Sequence, residues 1–227
     1  HWPFAAHSLC FSLSEEVRNQ KALDRYMSSK STPWRIGRDY ERYIGYIYEQ
    51  QGFKVKYVGI EDGLEDLGRD LICSKDDKIE IVQCKCWASH KLIREKHINQ
   101  LYGTTVKYYI DNIETFQSID SLNVLSKSLM NEKISAVLIT STKLSDTAKK
   151  FSEVLGIKFL EDMPLKKYPI IKCNINNGEK IYHLPFDQQY DKTSVSNSGE
   201  FYAMTVKDAI EKGFRRAQRW SGNSKKS

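Results

Sequence analysis

One stretch restricts the folding options of this chain more than any other: residues 66–87, DLGRDLICSKDDKIEIVQCKCW. Two runs of strand-forming residues flank the polar turn Lys75-Asp76-Asp77-Lys78, the pattern of a β-hairpin. A loop centred on that turn sets Asp70 opposite Gln83. Side chains alternate between sheet faces, so Asp70, Gln83 and Lys85 are expected on one face. A carboxylate, an amide oxygen and an ammonium thus converge at one end of a hairpin that is otherwise apolar. Buried charge is costly unless it is paired or holds a metal. Two readings satisfy that condition: a divalent cation held by Asp70 and Gln83 with Lys85 beside a water or phosphate, or an Asp–Lys ion pair at a sheet edge.

Upstream, Tyr40, Tyr43, Ile44, Ile47 and Tyr48 form the i, i+3, i+4, i+7 stripe of a half-buried helix, expected over residues 38–51 and closed by Gly52. Glu41 falls at the flank of that stripe, either as a solvated first-turn acid or as a group turned towards the hairpin. Residues 53–58 alternate as a strand, and loop 59–68 is acidic (Glu61, Asp62, Glu65, Asp66). Arg69 can pair with Asp70 or with a phosphate. After the hairpin the pattern predicts a helix over 96–110 and a polar insertion over 111–131. A doubly buried strand over 134–140, a helix over 144–155 and a strand over 157–160 complete it. His90 and His97 lack an accompanying carboxylate pattern and receive no metal role. This order implies an α/β sandwich with a mixed central sheet.

The run GRDYERYIGYIYEQQGFKV…GLEDLGRDLIC…IEIVQCKCW…INQLYG resembles the Mrr-type catalytic domain of restriction endonucleases, within the PD-(D/E)xK nuclease superfamily. The resemblance covers roughly residues 35–160. It implies a restriction-endonuclease-like fold and an Mg²⁺-dependent endodeoxyribonuclease acting on duplex DNA, with Mn²⁺ as a substitute, in restriction or anti-phage defence. Carried onto this sequence, it makes Glu41, Asp70, Gln83 and Lys85 the catalytic set. Asp70, Gln83 and the backbone carbonyl of Cys84 become the metal ligands. Gln100, in INQLYG, matches a position where such domains often carry Gln near the site. The sequence departs from most of the superfamily at Gln83, where Asp or Glu is usual; Gln is a variant of Mrr-like members. Rival readings are a Holliday-junction or branched-DNA resolvase, a catalytically weak DNA-binding module, and a toxin or interaction scaffold.

Composition narrows the setting. The 227 residues carry 35 Lys and Arg against 29 Asp and Glu, a net charge of +6, which is compatible with a polyanionic partner. No apolar run approaches the ~20 residues of a membrane span. Five cysteines in unpaired spacing point to a reducing, cytoplasmic setting rather than a disulfide framework. Cys73, Cys84 and Cys86 are expected on the sheet face opposite the hairpin site, as buried thiols.

Three segments follow: residues 1–34 as an N-terminal helical extension, 35–163 as the nuclease domain, and 168–221 as a small basic α+β module. Residues 1–11 lack the cationic start of a secretory signal and read as vector-derived or as the cut end of a longer chain. A helix is expected over 12–30. The last segment shows short strands over 170–175 and 180–183, turn signals at Asn177-Gly178 and Ser198-Gly199, and a helix over 205–212. It resembles a module at the C-terminus of some bacterial and phage nucleases, from KIYHLP, YDKT and AxxxGFRRA. Its cations Arg215, Arg216 and Arg219 are candidate phosphate contacts, with Trp220 able to stack on a base or to pack its own module. The expected assembly is a homodimer or a part of a larger defence complex.

Overall fold

The computed structural model describes residues 14–61, 68–112 and 133–218. The insertion over 113–131, the acids of 62–66, residues 1–11, Arg219 and Trp220 lie outside the described residues. Two compact units emerge, one of Thr32–Lys167 and one joining His1–Ser31 to Tyr168–Ser227.

In the first unit a five-stranded sheet runs in the order β1 (Lys54–Tyr57), β2 (Leu71–Lys75), β3 (Lys78–Lys85), β4 (Ile134–Thr140), β5 (Lys158–Leu160). The β1–β2 and β2–β3 pairs are antiparallel, whereas β3–β4 and β4–β5 are parallel. This is a mixed sheet, consistent with the restriction-endonuclease-like α/β fold expected from the sequence. The hairpin register pairs Leu71 with Val82 and Lys75 with Lys78, as the turn chemistry requires, and Asp76 accepts a φ of 50° at the turn. Every residue of β4 is buried, consistent with a parallel strand flanked on both sides.

Helix α2 (Pro33–Gln50) covers one face of this sheet; Tyr48 Oη donates to Glu80 at 2.6 Å. Alternation sends Ile79 and Ile81 to the other face. There they pack with Ile98, Leu101 and Tyr109 of α4 (Glu95–Asn112) and Ala148 of α5 (Asp146–Val154). α2 begins five residues before the expected start at residue 38. Pro33 and Gly37 look like breakers in the sequence. Yet Thr32 caps the helix by accepting from the Arg35 N–H at 3.2 Å, and Pro33 stands at the first helical position, where its missing N–H costs nothing. Gly45 in mid-helix is required by close approach: a Cβ there would lie 2.3 Å from Tyr57 Oη. A short turn, α3 (Val58–Glu61), leads from β1 towards the hairpin.

The second unit holds a four-stranded sheet in the order β8 (Phe201–Ala203), β6 (Ile171–Asn176), β7 (Glu179–His183), β9 (Arg215–Arg216). Asn177 and Gly178 turn the β6–β7 hairpin at φ of 49° and 82°, the double positive φ of a tight hairpin turn. Helix α6 (Val206–Glu211) starts on a reciprocal capping box between Thr205 and Asp208. Helix α1 (Glu15–Ser28) belongs to this core and not to a separate extension. Leu23 is buried with Ile171 and Cys173, Asn19 donates to Tyr182 Oη at 2.9 Å, and Gln20 accepts from the Val206 N–H at 2.9 Å. Among the described residues, no helix is long and apolar enough to cross a membrane.

Candidate active site

Asp70 stands one residue before β2, and the regular ladder stops there. Its own N–H donates to the Val82 carbonyl at 2.9 Å, and its Oδ2 accepts from the Cys84 N–H at 2.6 Å. The carboxylate therefore completes the end of β3 as well as facing the cleft. It is 94% shielded from solvent, its relative exposure being 6%. Glu41 reaches the same place from α2. Both groups meet at Gly59 in α3: a Cβ added there would lie 3.3 Å from Asp70 Oδ1 and 3.3 Å from Glu41 Oε2. The Gly59 N–H in turn donates to the Asp70 carbonyl at 3.1 Å.

Lys85 closes β3 and pairs in register with Thr140. Glu41, Asp70, Cys84 and Lys85 line one cleft of about 410 Å³, whose remaining walls include Gly37, Trp87 and Lys91. The electrostatics record the same convergence. Burial pushes the Cys84 thiol well above its ordinary range, the negative Asp70 and Glu41 add to that, and Lys85 opposes it. Burial also lowers the pKa of His97, helped by the nearby positive Lys85 and Lys96. His97 is therefore a neutral ring edge-on to Trp87, at 5.1 Å between centroids.

Gln83 is placed differently. It is fully buried, its Nε2 donates to the Gly68 carbonyl at 2.5 Å, and it does not line the cleft. Its Oε1 is buried without a hydrogen-bond partner among the described residues. Gly68, at φ 82°, makes room for this amide and for Gln100: a Cβ there would meet Gln100 Nε2 at 2.3 Å and Gln83 Nε2 at 3.0 Å. Gln100 is thus brought beside Gln83. The cysteine expectation needs correcting. Cys84 and Cys86 line the cleft and do not lie away from it, because the carboxylate of Asp70 bends towards Gly59 and α2 instead of following the strand alternation.

Arg69 has no carboxylate partner among the described residues; its guanidinium lies 5.9 Å from the Tyr108 ring centroid and its Nε is buried without a partner. In the other unit, Arg216 holds Asp187 with two hydrogen bonds and Arg215 holds Glu179 with one. Sequence reasoning missed Gly59, Gly37, Trp87 and Lys91. Gly37 had a signal, since it precedes Glu41 by one helical turn and shares its face. Gly59 had none. Among the described residues no group of three or more His, Cys, Asp or Glu is arranged to hold a metal ion.

Residues 36–114 match the family described as restriction endonuclease, the Mrr catalytic domain. No curated protein matches the chain. Among solved structures, a protein of unknown function, AF1548, aligns with a TM-score of 0.38 and 17% identity. That alignment covers 54% of this chain and 58% of that one.

Proposed function

We propose, from the match of residues 36–114 to the Mrr catalytic domain of restriction endonucleases, that the chain is a Mg²⁺-dependent endodeoxyribonuclease that hydrolyses the backbone of duplex DNA. A role in restriction or anti-phage defence, and action as a homodimer with one cleft per strand, complete the proposal. The observation that carries it is the meeting of Glu41, Asp70 and Lys85 in one cleft at the end of the hairpin.

The residues present fit a hard divalent cation. Asp70 Oδ1 and Glu41 Oε2 both face the side of Gly59 that carries no Cβ, and Gln83 Oε1 is a buried oxygen in want of a partner. Asp70 and Glu41 would hold the ion, with the Cys84 carbonyl as a neutral oxygen of an oxygen-rich shell; Gln83, which lies beneath Gly68 and outside the cleft lining, would add its amide oxygen only after its side chain turns towards the cleft. When bound, Mg²⁺ supplies charge stabilisation at the phosphate and lowers the pKa of water. The chain does the rest. Lys85 aims a positive charge into the cleft, where it orients the attacking water or neutralises charge developing on the phosphate. Lys91, on the same wall, offers a second cation to the phosphodiester.

The test is incubation of linear, branched and modified duplexes with Mg²⁺, Mn²⁺ or EDTA. Cleavage of linear duplex in either metal, absent in EDTA and absent in Lys85→Met, is the expected result. Cleavage that survives EDTA, or that Lys85→Met leaves intact, overturns the proposal.

A further inference from the structure

The unit built from Tyr168–Ser227 and the N-terminal helix has a polar groove that the nuclease reaction does not use. Three buried side-chain atoms in it lack a hydrogen-bond partner among the described residues: Asn174 Oδ1, His183 Nδ1 and Ser194 Oγ. All three residues line this one groove, together with Gln189 and Lys192. Buried polar atoms are normally satisfied, and each exception calls for an explanation. Three exceptions around one groove point to a ligand that supplies the missing partners.

The groove measures about 910 Å³. That is within the roughly 300–1,000 Å³ of sites that enclose a small organic ligand. Its polar groups are mainly neutral amides, two hydroxyls and an imidazole; of its charged groups besides Lys192, Glu200 accepts from the backbone N–H groups of Ile175, Ser196 and Asn197, and Arg215 is paired with Glu179. Burial lowers the pKa of His183, and the nearby Arg216 and Lys172 act in the same direction against Asp187, so the ring is uncharged at neutral pH. Neutral amides match the donor and acceptor edge of a nucleobase, as paired Asn and Gln contacts to bases do. His183 and Gln189 also line an adjoining recess whose lining includes Phe186, 44% exposed beside the Tyr26 ring at 5.6 Å between centroids, where a base could join the aromatic pair. Lys192, exposed at the groove, is placed for a phosphate.

We propose that this groove binds a nucleotide, with Asn174, His183 and Ser194 hydrogen-bonding the base, Phe186 stacking on it and Lys192 meeting its phosphate. The site is separate from the cleft of Glu41, Asp70 and Lys85 and does not depend on that cleft being catalytic.

The experiment titrates the full chain, in EDTA, with each of the four deoxynucleoside 5′-monophosphates and with a short single-stranded oligonucleotide, followed by calorimetry. Saturable binding of at least one probe is expected. Ser194→Ala and His183→Gln should each weaken it roughly tenfold, and Phe186→Ala comparably, as lost hydrogen bonds and stacking do. Asp70→Asn should leave it unchanged. Ser194→Ala and Phe186→Ala remove only exposed or small groups, so circular dichroism separates lost binding from lost fold. Failure of every probe to bind, or binding untouched by both of those variants, overturns the inference. So does binding abolished by Asp70→Asn, which would move the ligand to the nuclease cleft. Cleavage without nucleotide binding in EDTA leaves the nuclease reading standing and refutes this one alone.

Discussion

Replacing Gly59 by Ala tests the cleft without deleting any of its functional groups. The added methyl would lie 3.3 Å from Asp70 Oδ1, 3.3 Å from Glu41 Oε2 and 3.4 Å from the Asp70 Cα. Contacts this tight require the neighbours to retreat by a few tenths of an ångström. Both carboxylates would then be pushed outwards together. Stability should barely change: strain of roughly 1 kcal/mol opposes a gain of about 0.5–1 kcal/mol from substituting Ala for Gly in a helical turn. Catalysis should suffer more, because a 1 Å misplacement can cost about 100-fold. For a shift of tenths of an ångström we expect a loss of about tenfold, with half-maximal activity moved to higher Mg²⁺. Gly37→Ala is the matched control, since it lines the same cleft but its added Cβ would meet nothing within 4 Å. It should gain stability and keep cleavage within about twofold. The assay is single-turnover cleavage across a magnesium titration, beside urea denaturation. Wild-type rate and midpoint in Gly59→Ala, or equal damage in Gly37→Ala, would refute the geometry argued for the two carboxylates.

Three further predictions rest on separate contacts. Asp70→Asn and Asp70→Ala should both abolish cleavage, but only the Ala variant strands the Cys84 N–H, lowering stability by about 1–3 kcal/mol in urea denaturation. Gln83→Glu should lower the Mg²⁺ needed for half-maximal cleavage and Gln83→Leu should raise it; a Leu variant with the wild-type midpoint would remove Gln83 from the ligand set. Arg216→Ala removes the counter-charge of Asp187 and leaves it the Leu184 N–H, with side-chain exposures of 17% and 16% in the pair, and should cost about 2 kcal/mol; Arg215→Ala, with exposures of 45% and 61% in its pair, should cost under about 1 kcal/mol, both read by thermal unfolding.

Much of the fold could be read along the chain because local rules set it. A polar turn between two apolar runs fixed the register of β2 and β3, and the tyrosine stripe of α2 fixed its buried face. The features that escaped are those decided at a distance. α1 carries only scattered apolar residues, and its place became visible only through Leu23, Asn19 and Gln20 meeting the C-terminal sheet. Pro33 is a breaker or a starter according to whether a cap precedes it, and Thr32 supplies one. Gly59 has no side chain by which to announce that two carboxylates meet over it.

The hairpin shows where period-2 reasoning stops. Alternation assigns a face to each residue only while the ladder continues, and at Asp70 it does not: the carboxylate takes the Cys84 N–H, which draws it towards Gly59 and Glu41. Gln83, still inside the strand, follows the alternation and is buried beneath Gly68. That difference gives a physical reason for an amide at position 83. A carboxylate that is 0% exposed, with one oxygen near a backbone carbonyl, would be an uncompensated buried charge in the metal-free protein. The amide donates to that carbonyl and leaves only a neutral oxygen unsatisfied, a smaller penalty by several kcal/mol on the scale of about 1–3 for a neutral group and more for a charged one. Glu at this position should therefore bind cation more tightly and, in EDTA, fold less stably than Gln. The two effects have one cause, so a Gln83→Glu protein as stable as wild type without metal would mean that the side chain escapes to solvent and that the burial of Gln83 is not what selects the amide.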